Sequence, residues 1–223
     1  MINADQIIER LHALADEAER AKILKRMPAD QVIGVRMKSV FDLAKEHTRL
    51  PLDQVEALLD SHFYEARMVA VSILDFRARI PRLPEEERAA LFDLYLRRHD
   101  RIDTWDLVDR AAPRVVGWYL LEKPRDVLYR LAASPNIWER RTAITASFWL
   151  IRAGDVDDAL ALADLLLKDE HLIQTSVGTA LREIGRVAPE RLDEFLDRNA
   201  SRISATTRRI ARSGGGGDHA SVE

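Results

Sequence analysis

The sequence contains no cysteine among its 223 residues. Disulfides, thiolate nucleophiles and cysteine-ligated zinc sites are therefore excluded, and such a composition is typical of a reducing compartment. No stretch approaches the ~20 consecutive apolar residues that span a bilayer. The opening segment, MINADQIIERLHALADEAER, is charged at every turn and lacks the apolar region of a signal peptide. We therefore expect a cytoplasmic protein with no membrane association, lying at the nucleoid if the host is bacterial.

The common catalytic and cofactor motifs are missing as well. The chain has no phosphate-binding G-x-x-x-x-G-K-[ST] or G-x-G-x-x-G, no H-E-x-x-H and no G-x-S-x-G. Its six histidines are isolated from one another, so we expect neither a metal nor another cofactor. The only glycine run lies in SGGGGDHASVE, and residues 213–223 are predicted to form a disordered tail.

Helical periodicity is what the sequence does have. Apolar residues recur at helical spacing almost throughout, while the alternation typical of strands is nearly absent. Ile7, Ile8 and Leu11 mark a first amphipathic helix, and prolines suited to the first helical turn open others. The further helices are predicted near 31–47, 51–59, 63–79, 84–99, 105–112, 124–133, 137–153, 155–168, 171–187, 189–199 and 203–212.

The number and length of these helices indicate the architecture. About a dozen helices joined by short loops favour an all-α, HEAT-like helical-repeat solenoid (an alpha-alpha superhelix) with a concave cleft. Residues 1–212 are predicted to form one domain, because each helix pair needs its neighbours to bury its apolar face. An irregular globular helical domain is the alternative.

Charge is unevenly distributed around a net value of −3. Residues 101–152 carry nine Lys/Arg against six Asp/Glu, and residues 182–212 carry eight against five. The segment between them, 153–181, is acidic, with one lysine against six acids. In a solenoid, basic segments can share a concave face that attracts an anionic partner. Scattered solvated surface charge explains the same counts.

Trp105 and Asp109, in the segment Trp105-Asp106-Leu107-Val108-Asp109, form the first candidate site. On a helix, residues four apart are neighbours on one face, and Leu107 and Val108 then point into the core. An aromatic ring beside a carboxylate can hold a planar cation. The structural alternative is a half-buried tryptophan with Asp109 paired to Arg110 or Arg101. Asp103 or Thr104 is expected to cap this helix.

Two further segments carry candidate anion-binding residues. Arg141, three residues after Trp138, can grip a phosphate through two hydrogen bonds, or can hold Asp109 in a structural ion pair. In Gly178-Thr179-Ala180-Leu181-Arg182, the glycine allows close approach of a helix or a ligand, and Arg182 can contact phosphate. Elsewhere, Asp75 lies in an apolar stretch, which predicts a buried ion pair with Arg67 or Arg79.

Together these segments resemble the AlkD-like family of DNA alkylation repair glycosylases. The resemblance lies in WDLVD (105–109), NIWERRTAI (136–144) and LIQTSVGTALRE (172–183), and it extends over most of residues 1–212. It implies hydrolysis of the N-glycosidic bond of N3- or N7-alkylated purines in double-stranded DNA, without base flipping. It also implies a DNA-repair enzyme with DNA bound in the concave cleft.

The resemblance also implies roles for single residues. Trp105 would pack against the deoxyribose, Asp109 would be the catalytic carboxylate, and Arg141 would bind phosphate or position Asp109. Arg182 and Arg186 are the remaining candidate DNA contacts. The family usually places a third cleft tryptophan directly after the glycine of the last motif, and here that position is Thr179.

The mechanism and the alternatives follow from this assignment. No lysine is assigned to Schiff-base chemistry, so we predict a monofunctional glycosylase that acts as a monomer. A catalytically weak relative that binds damaged or branched DNA is the first alternative, which Thr179 favours. A protein-binding helical scaffold and a self-resistance glycosylase for bulky adducts are the others.

Overall fold

A computed structural model of the chain describes residues 2–213. Over that range it is all-α, with thirteen α-helices and no strand, so the predicted fold class is confirmed. The described chain divides into two compact units, residues 2–119 and 120–213, and the single domain over 1–212 stays a prediction. Of the predicted tail, residues 214–223 lie outside the described residues.

The first unit contains seven α-helices, and helices close in sequence pack together. They are α1 (Ala4–Ala13), α2 (Glu17–Ile23), α3 (Met37–Glu46), α4 (Leu52–Asp60), α5 (Tyr64–Ala78), α6 (Glu85–Arg97) and α7 (Trp105–Ala111). Short 3₁₀ turns lie at Ala29–Gln31 and His99–Arg101. Helix α5 is buried along nearly its whole length and contacts α1, α3, α4, α6 and α7. It therefore forms the core against which the candidate helix α7 is fixed.

The second unit contains six α-helices with the same packing between sequence neighbours, an arrangement typical of helical repeats. They are α8 (Asp126–Ala132), α9 (Ile137–Arg152), α10 (Asp157–Leu166), α11 (His171–Val187), α12 (Pro189–Arg198) and α13 (Ala205–Arg212). Helix α9 contacts α8, α10 and α11, and α11 contacts α12 and α13. The buried side chains of α9 and α11 thus make up the centre of this unit.

Local sequence signals account for several helix ends. Asn3 and Gln6 form a reciprocal capping box at α1, and the Asn136 side chain accepts a hydrogen bond from the Trp138 N–H at α9. Pro189 occupies the first position of α12, where its missing N–H costs nothing. Gly154 follows α9 with φ of 86°, a left-handed conformation that glycine adopts without strain.

One predicted helix begins later than its apolar pattern indicated. The pattern predicts a helix near 31–47, whereas α3 spans Met37–Glu46 and residues 32–36 are non-helical. The reason is tertiary: the buried carboxylate of Glu65 accepts hydrogen bonds from the N–H groups of Ile33, Gly34 and Val35 at 2.7 to 3.3 Å. Three consecutive bonds to one carboxylate of α5 thus hold residues 33–35 on their non-helical path.

Pro113 ends the regular part of α7, as its missing N–H predicts. The α-helix stops at Ala111, and residues 112–118 continue as a π-helix. The wider turn accommodates a residue that cannot donate to the hydrogen-bond ladder, and π-helical turns are frequent near functional sites.

Gly178 serves helix packing. A β-carbon there would lie 2.8 Å from Cβ of Ile210 and 3.1 Å from the carbonyl oxygen of Thr207, so glycine lets α13 approach α11 closely. Of the two explanations that the sequence allows, close approach of a helix is the one that this contact supports.

Replacing Gly178 by alanine should therefore destabilise the second unit. We expect Gly178→Ala to lower the free energy of unfolding by about 1–3 kcal/mol, because neither Ile210 Cβ nor a backbone oxygen can move easily. Gly185→Ala is the matched control: its β-carbon meets only the rotatable end of Leu192, and alanine gains about 1 kcal/mol of helix propensity. Urea unfolding of both variants measures the difference, and equal stabilities would contradict the packing role.

Candidate active site

Helix α7 carries Trp105 and Asp109 on one face, as predicted. Both lie within Trp105–Ala111, four residues apart, so they are neighbours along the helix surface. Trp105 is 45% exposed, an unusual value for such a large apolar side chain, and Asp109 is half-buried. Leu107 and Val108 are fully buried, which confirms that they face the core. The pair therefore projects from a helix anchored on its opposite side.

The indole of Trp105 is flanked by a cation that the sequence did not indicate. The guanidinium carbon of Arg26, in the turn after α2, lies 5.7 Å from the centroid of the Trp105 ring and 5.1 Å from that of Tyr64. Both distances are within the range of cation–π attraction. Arg26 thereby restrains the exposed ring.

Asp106 ties this arginine to the start of α7. Its Oδ2 accepts hydrogen bonds from Arg26 Nη1 at 2.6 Å and from the Tyr64 hydroxyl at 2.5 Å. Its Oδ1 accepts one from the Thr104 hydroxyl at 2.6 Å. Burial of Asp106 opposes ionisation, but the hydrogen bonds from Thr104, Tyr64 and Arg26 outweigh it and hold the pKa of the carboxyl below its usual value. The same burial, with the neighbouring Asp106 charge, raises the pKa of Tyr64, which stays protonated as a donor.

Replacing Asp106 by asparagine tests this network. We expect Asp106→Asn to lower the free energy of unfolding at pH 7 by about 1.5–3 kcal/mol, the contribution of hydrogen bonds to a charged group. Because folding lowers the pKa of Asp106 from 3.8, its contribution is complete above that pH and is lost as the pH falls through the folded-state value. Urea unfolding at pH 7 and at pH 3 measures this effect. The difference in the free energy of unfolding between wild type and Asp106→Asn should be smaller at pH 3. A difference of constant size would contradict the network.

The N-terminus of α7 differs from the predicted cap. Thr104 is the N-cap residue, but its hydroxyl donates to Asp106 and makes no capping bond. Asp103 instead accepts two hydrogen bonds from Arg67 Nη1, at 2.7 and 2.8 Å, and the Arg67 side chain is almost fully buried. Helix α7 is thus fixed to α5 by a buried arginine rather than by a local cap.

The sequence offered two arginines, Arg101 and Arg110, as structural partners of Asp109. Each of them contacts other groups of the first unit. Arg101 donates to the carbonyl oxygens of Leu59, Asp60 and Ser61. Arg110 lies 3.1 Å from the carboxylate of Asp75.

Arg141, in the second unit, is held in α9 with only 8% of its surface exposed. Its Nη1 donates to the carbonyl oxygen of Leu172, in the first turn of α11, at 3.2 Å. That bond fixes one branch of the guanidinium. A phosphate-binding arginine benefits from such restraint, because less side-chain freedom is lost on binding.

Thr179, Arg182 and Arg186 lie on one face of α11, since they are three and seven residues apart. The Thr179 hydroxyl donates to the Thr175 carbonyl at 3.0 Å. Glu183 lies between the two arginines, 3.4 Å from Arg182 Nε and 2.8 Å from Arg186 Nη1. The face is therefore polar, with its positive charge partly offset by Glu183.

Sequence reasoning missed the residues that restrain Trp105. Asp106 was within the segment singled out, but Arg26 and Tyr64 lie 80 and 42 residues before it, and neither belongs to a local pattern. Within residues 2–213, no group of three or more His, Cys, Asp or Glu side chains could hold a metal ion. No helix in the same range is long and apolar enough to cross a membrane.

These features define an all-helical protein whose first unit presents an exposed indole and a carboxylate on one anchored helix. Residues 7–213 match the family of DNA alkylation repair enzymes. The chain belongs to that family, as the resemblance of its three segments indicated.

A solved structure shares the fold. This protein from Enterococcus faecalis, described as a predicted DNA alkylation repair enzyme, superposes with a TM-score of 0.68 at 20% sequence identity, covering 89% of the present chain and 95% of its own. At that identity the likeness establishes the fold alone. No curated protein sequence matches the chain significantly.

Proposed function

We propose that this protein is a monofunctional DNA glycosylase that hydrolyses the N-glycosidic bond of N3- and N7-alkylated purines in duplex DNA. One observation carries the proposal: a 45%-exposed tryptophan and a carboxylate lie one turn apart on a helix whose other side is locked into the core. Membership of the DNA alkylation repair family supports it. The protein would act as a monomer in the cytoplasm, without a metal or another cofactor.

The chemistry suits a site with so few functional groups. Alkylation at N3 or N7 leaves the purine positively charged, so the base departs with the bonding electron pair as a neutral molecule and needs no general acid. The sugar becomes an oxocarbenium-like cation, as in glycoside hydrolysis. Water then adds to C1′, and its proton passes to the carboxylate or to solvent.

Asp109 and Trp105 would divide the stabilisation of this sugar cation. The ionised carboxylate of Asp109 supplies the opposite charge and orients the water. The face of the Trp105 indole, which also attracts cations, packs against the deoxyribose. Arg26 and Asp106 keep the indole in place, so the ring need not be ordered when DNA binds. In this mechanism the base need not be turned out into an enclosed pocket, as most glycosylases require.

Arginines of the second unit would hold the DNA backbone. Arg141, fixed by the Leu172 carbonyl, would bind a phosphate or position Asp109, and Arg182 and Arg186 would add phosphate contacts along α11. Such contacts carry no sequence information, so we expect little sequence preference and an affinity that falls with salt. Thr179 would contact DNA through a small polar surface.

Base release by the wild-type protein tests the proposal. Duplex DNA treated with a methylating agent should release 7-methylguanine or 3-methyladenine, detected by chromatography, without strand cleavage before alkali treatment. Unmethylated duplex is the control. No release of either base at protein concentrations that saturate the duplex would contradict the glycosylase assignment.

A catalytically weak, damage-binding relative is the second candidate. Thr179 favours it, because its hydroxyl is bonded to Thr175 within α11 and offers no aromatic wall to the sugar. This alternative predicts tight binding of alkylated or branched duplex with no base release. A protein-interaction scaffold predicts no duplex affinity even at low salt, so the same two measurements separate all three.

A further inference from the structure

Three arginines of the first unit converge on one buried carboxylate. Asp75, near the end of α5, is fully buried. Its Oδ2 lies 2.6 Å from Arg79 Nη2 and 3.1 Å from Arg110 Nη2, and its Oδ1 lies 3.3 Å from Arg114 Nη1. The predicted ion pair between Asp75 and Arg79 is therefore confirmed. Asp75, Arg79, Arg110 and Arg114 are called the arginine cluster below.

Arg79 and Arg110 by themselves bring two positive charges to the single negative charge of Asp75. A buried carboxylate needs one well-placed partner, and each additional cation brings its own desolvation cost and repels the others. Burial lowers the pKa of Arg110, Asp75 opposes that effect, and the charges of Arg79 and Arg114 lower the pKa further. A second anion at the cluster would relieve this repulsion.

Arg110 is held rigidly at the centre of the cluster. Its guanidinium carbon lies 4.5 Å from the centroid of the Phe41 ring and 4.6 Å from that of Phe76, and its Nε donates to the Ser72 hydroxyl at 3.1 Å. Stacking between two rings favours the planar guanidinium over other cations. The positive charge is thus fixed in place before any ligand arrives.

Solvent reaches the arginine cluster through its two outer members. The side chain of Arg79 is 34% exposed and that of Arg114 is 25% exposed. Arg79 follows the last residue of α5, and Arg114 is carried by the π-helix that continues α7. Arg110 directly follows Asp109 in α7, so the cluster and the candidate catalytic pair share one helix.

We propose that the arginine cluster binds a phosphodiester group of the DNA backbone. Guanidinium groups match phosphate oxygens with paired hydrogen bonds, and clustered arginines are typical of phosphate sites. The inference rests on the proposed function and adds a backbone contact in the first unit to those proposed for α9 and α11. Its role is to hold the duplex so that Trp105 and Asp109 meet the lesion.

Arg79→Ala is the variant that tests the site. It removes the most exposed guanidinium, while Arg110 and Arg114 still face Asp75, so the buried carboxylate keeps partners and the fold is retained. Arg79→Lys preserves the charge. Arg97→Ala is the control, because it removes an arginine whose side chain is 57% exposed and which pairs with Glu56 at 2.6 Å, away from the cluster. Thermal unfolding of each variant checks that it is folded.

The readout is duplex affinity by fluorescence anisotropy over a range of salt concentrations. Losing one phosphate contact should reduce the slope of log affinity against log salt by about 0.9. At low salt, Arg79→Ala should bind alkylated and unmodified duplex roughly three- to tenfold more weakly. Arg79→Lys should recover most of the slope, and Arg97→Ala should match wild type. An unchanged slope and affinity for a folded Arg79→Ala protein would overturn the proposal.

Two other results separate this proposal from the proposed function. In the first, wild type binds duplex and Arg79→Ala shows the expected lower slope of log affinity against log salt, while no base is released. The phosphate site then stands and the glycosylase assignment fails. If wild type binds no duplex, both fail. The last comparison adds inorganic phosphate at matched ionic strength and measures thermal unfolding. Suppose that phosphate stabilises wild type more than Arg79→Ala, while both proteins show the same slope of log DNA affinity against log salt. The site would then bind free phosphate, and the proposed DNA contact would be overturned.

Discussion

Asp109→Asn is expected to lower the rate of 7-methylguanine release from methylated duplex by roughly 10²–10³-fold, the usual effect of removing one preorganised charge or dipole that stabilises a transition state. Asparagine keeps the size of the side chain and its place on α7, but it has no negative charge to set against the sugar cation. Because the charge is needed only as the glycosidic bond breaks, duplex affinity should change little.

Single-turnover base release, with protein in excess over methylated DNA, measures the effect directly. Anisotropy on the same duplex reports binding. Asp100→Asn is the matched control, since it removes an exposed carboxylate of the same unit, one that pairs with Arg98. Equal release rates for wild type and Asp109→Asn would remove Asp109 from the mechanism, and a parallel loss of affinity would make its role one of binding.

Glu65→Ala is expected to produce the largest loss of stability in the first unit. The Glu65 carboxylate is fully buried in α5 and accepts hydrogen bonds from three consecutive N–H groups, those of Ile33, Gly34 and Val35. Alanine would leave all three donors without an acceptor in a site closed to water. The cost should be about 3–5 kcal/mol, as when one partner of a buried charged interaction is deleted.

Gly34 makes this loss difficult to repair by local movement. It has φ of 100°, and a β-carbon there would lie 2.5 Å from Cβ of Arg20, so the backbone at Gly34 packs closely against α2. Glu65→Gln should cost less than Glu65→Ala, because its amide oxygen can still accept from Gly34 and Val35. Urea unfolding of the three proteins gives the order, and an alanine variant within about 1 kcal/mol of wild type would show that the donors find other partners.

The predicted helices and their ends depended on signals that act over a few residues. The starts of α9 and α12, and the end of α9 before Gly154, follow from capping and from proline and glycine geometry. The helix predicted near 31–47 failed at its start because the competing acceptor, Glu65, lies 30 residues further along the chain. Helix α2 was not predicted, since only Ile23 is buried in it and a single apolar residue makes no periodic pattern.

The candidate pair illustrates the same distinction. Spacing alone places Trp105 and Asp109 on one face of a helix, and the inward direction of Leu107 and Val108 follows from the same geometry. Spacing does not indicate that Arg26 stacks on the indole, because Arg26 lies 80 residues before Asp106, the residue of α7 with which it pairs. It also does not indicate that Asp75 forms ion pairs with Arg110 and Arg114 in addition to the predicted pair with Arg79.

By itself, the sequence determined the all-α class, most helix limits, the absence of cysteine chemistry and the placing of an indole and a carboxylate one turn apart. Each of these depends on backbone geometry that repeats every few residues, or on residue type alone. Only the tertiary structure decided which charges meet in the interior. Burying a charge is costly unless a partner is at hand, and that partner comes from whichever helix packs alongside, at a distance in the chain that no local pattern records.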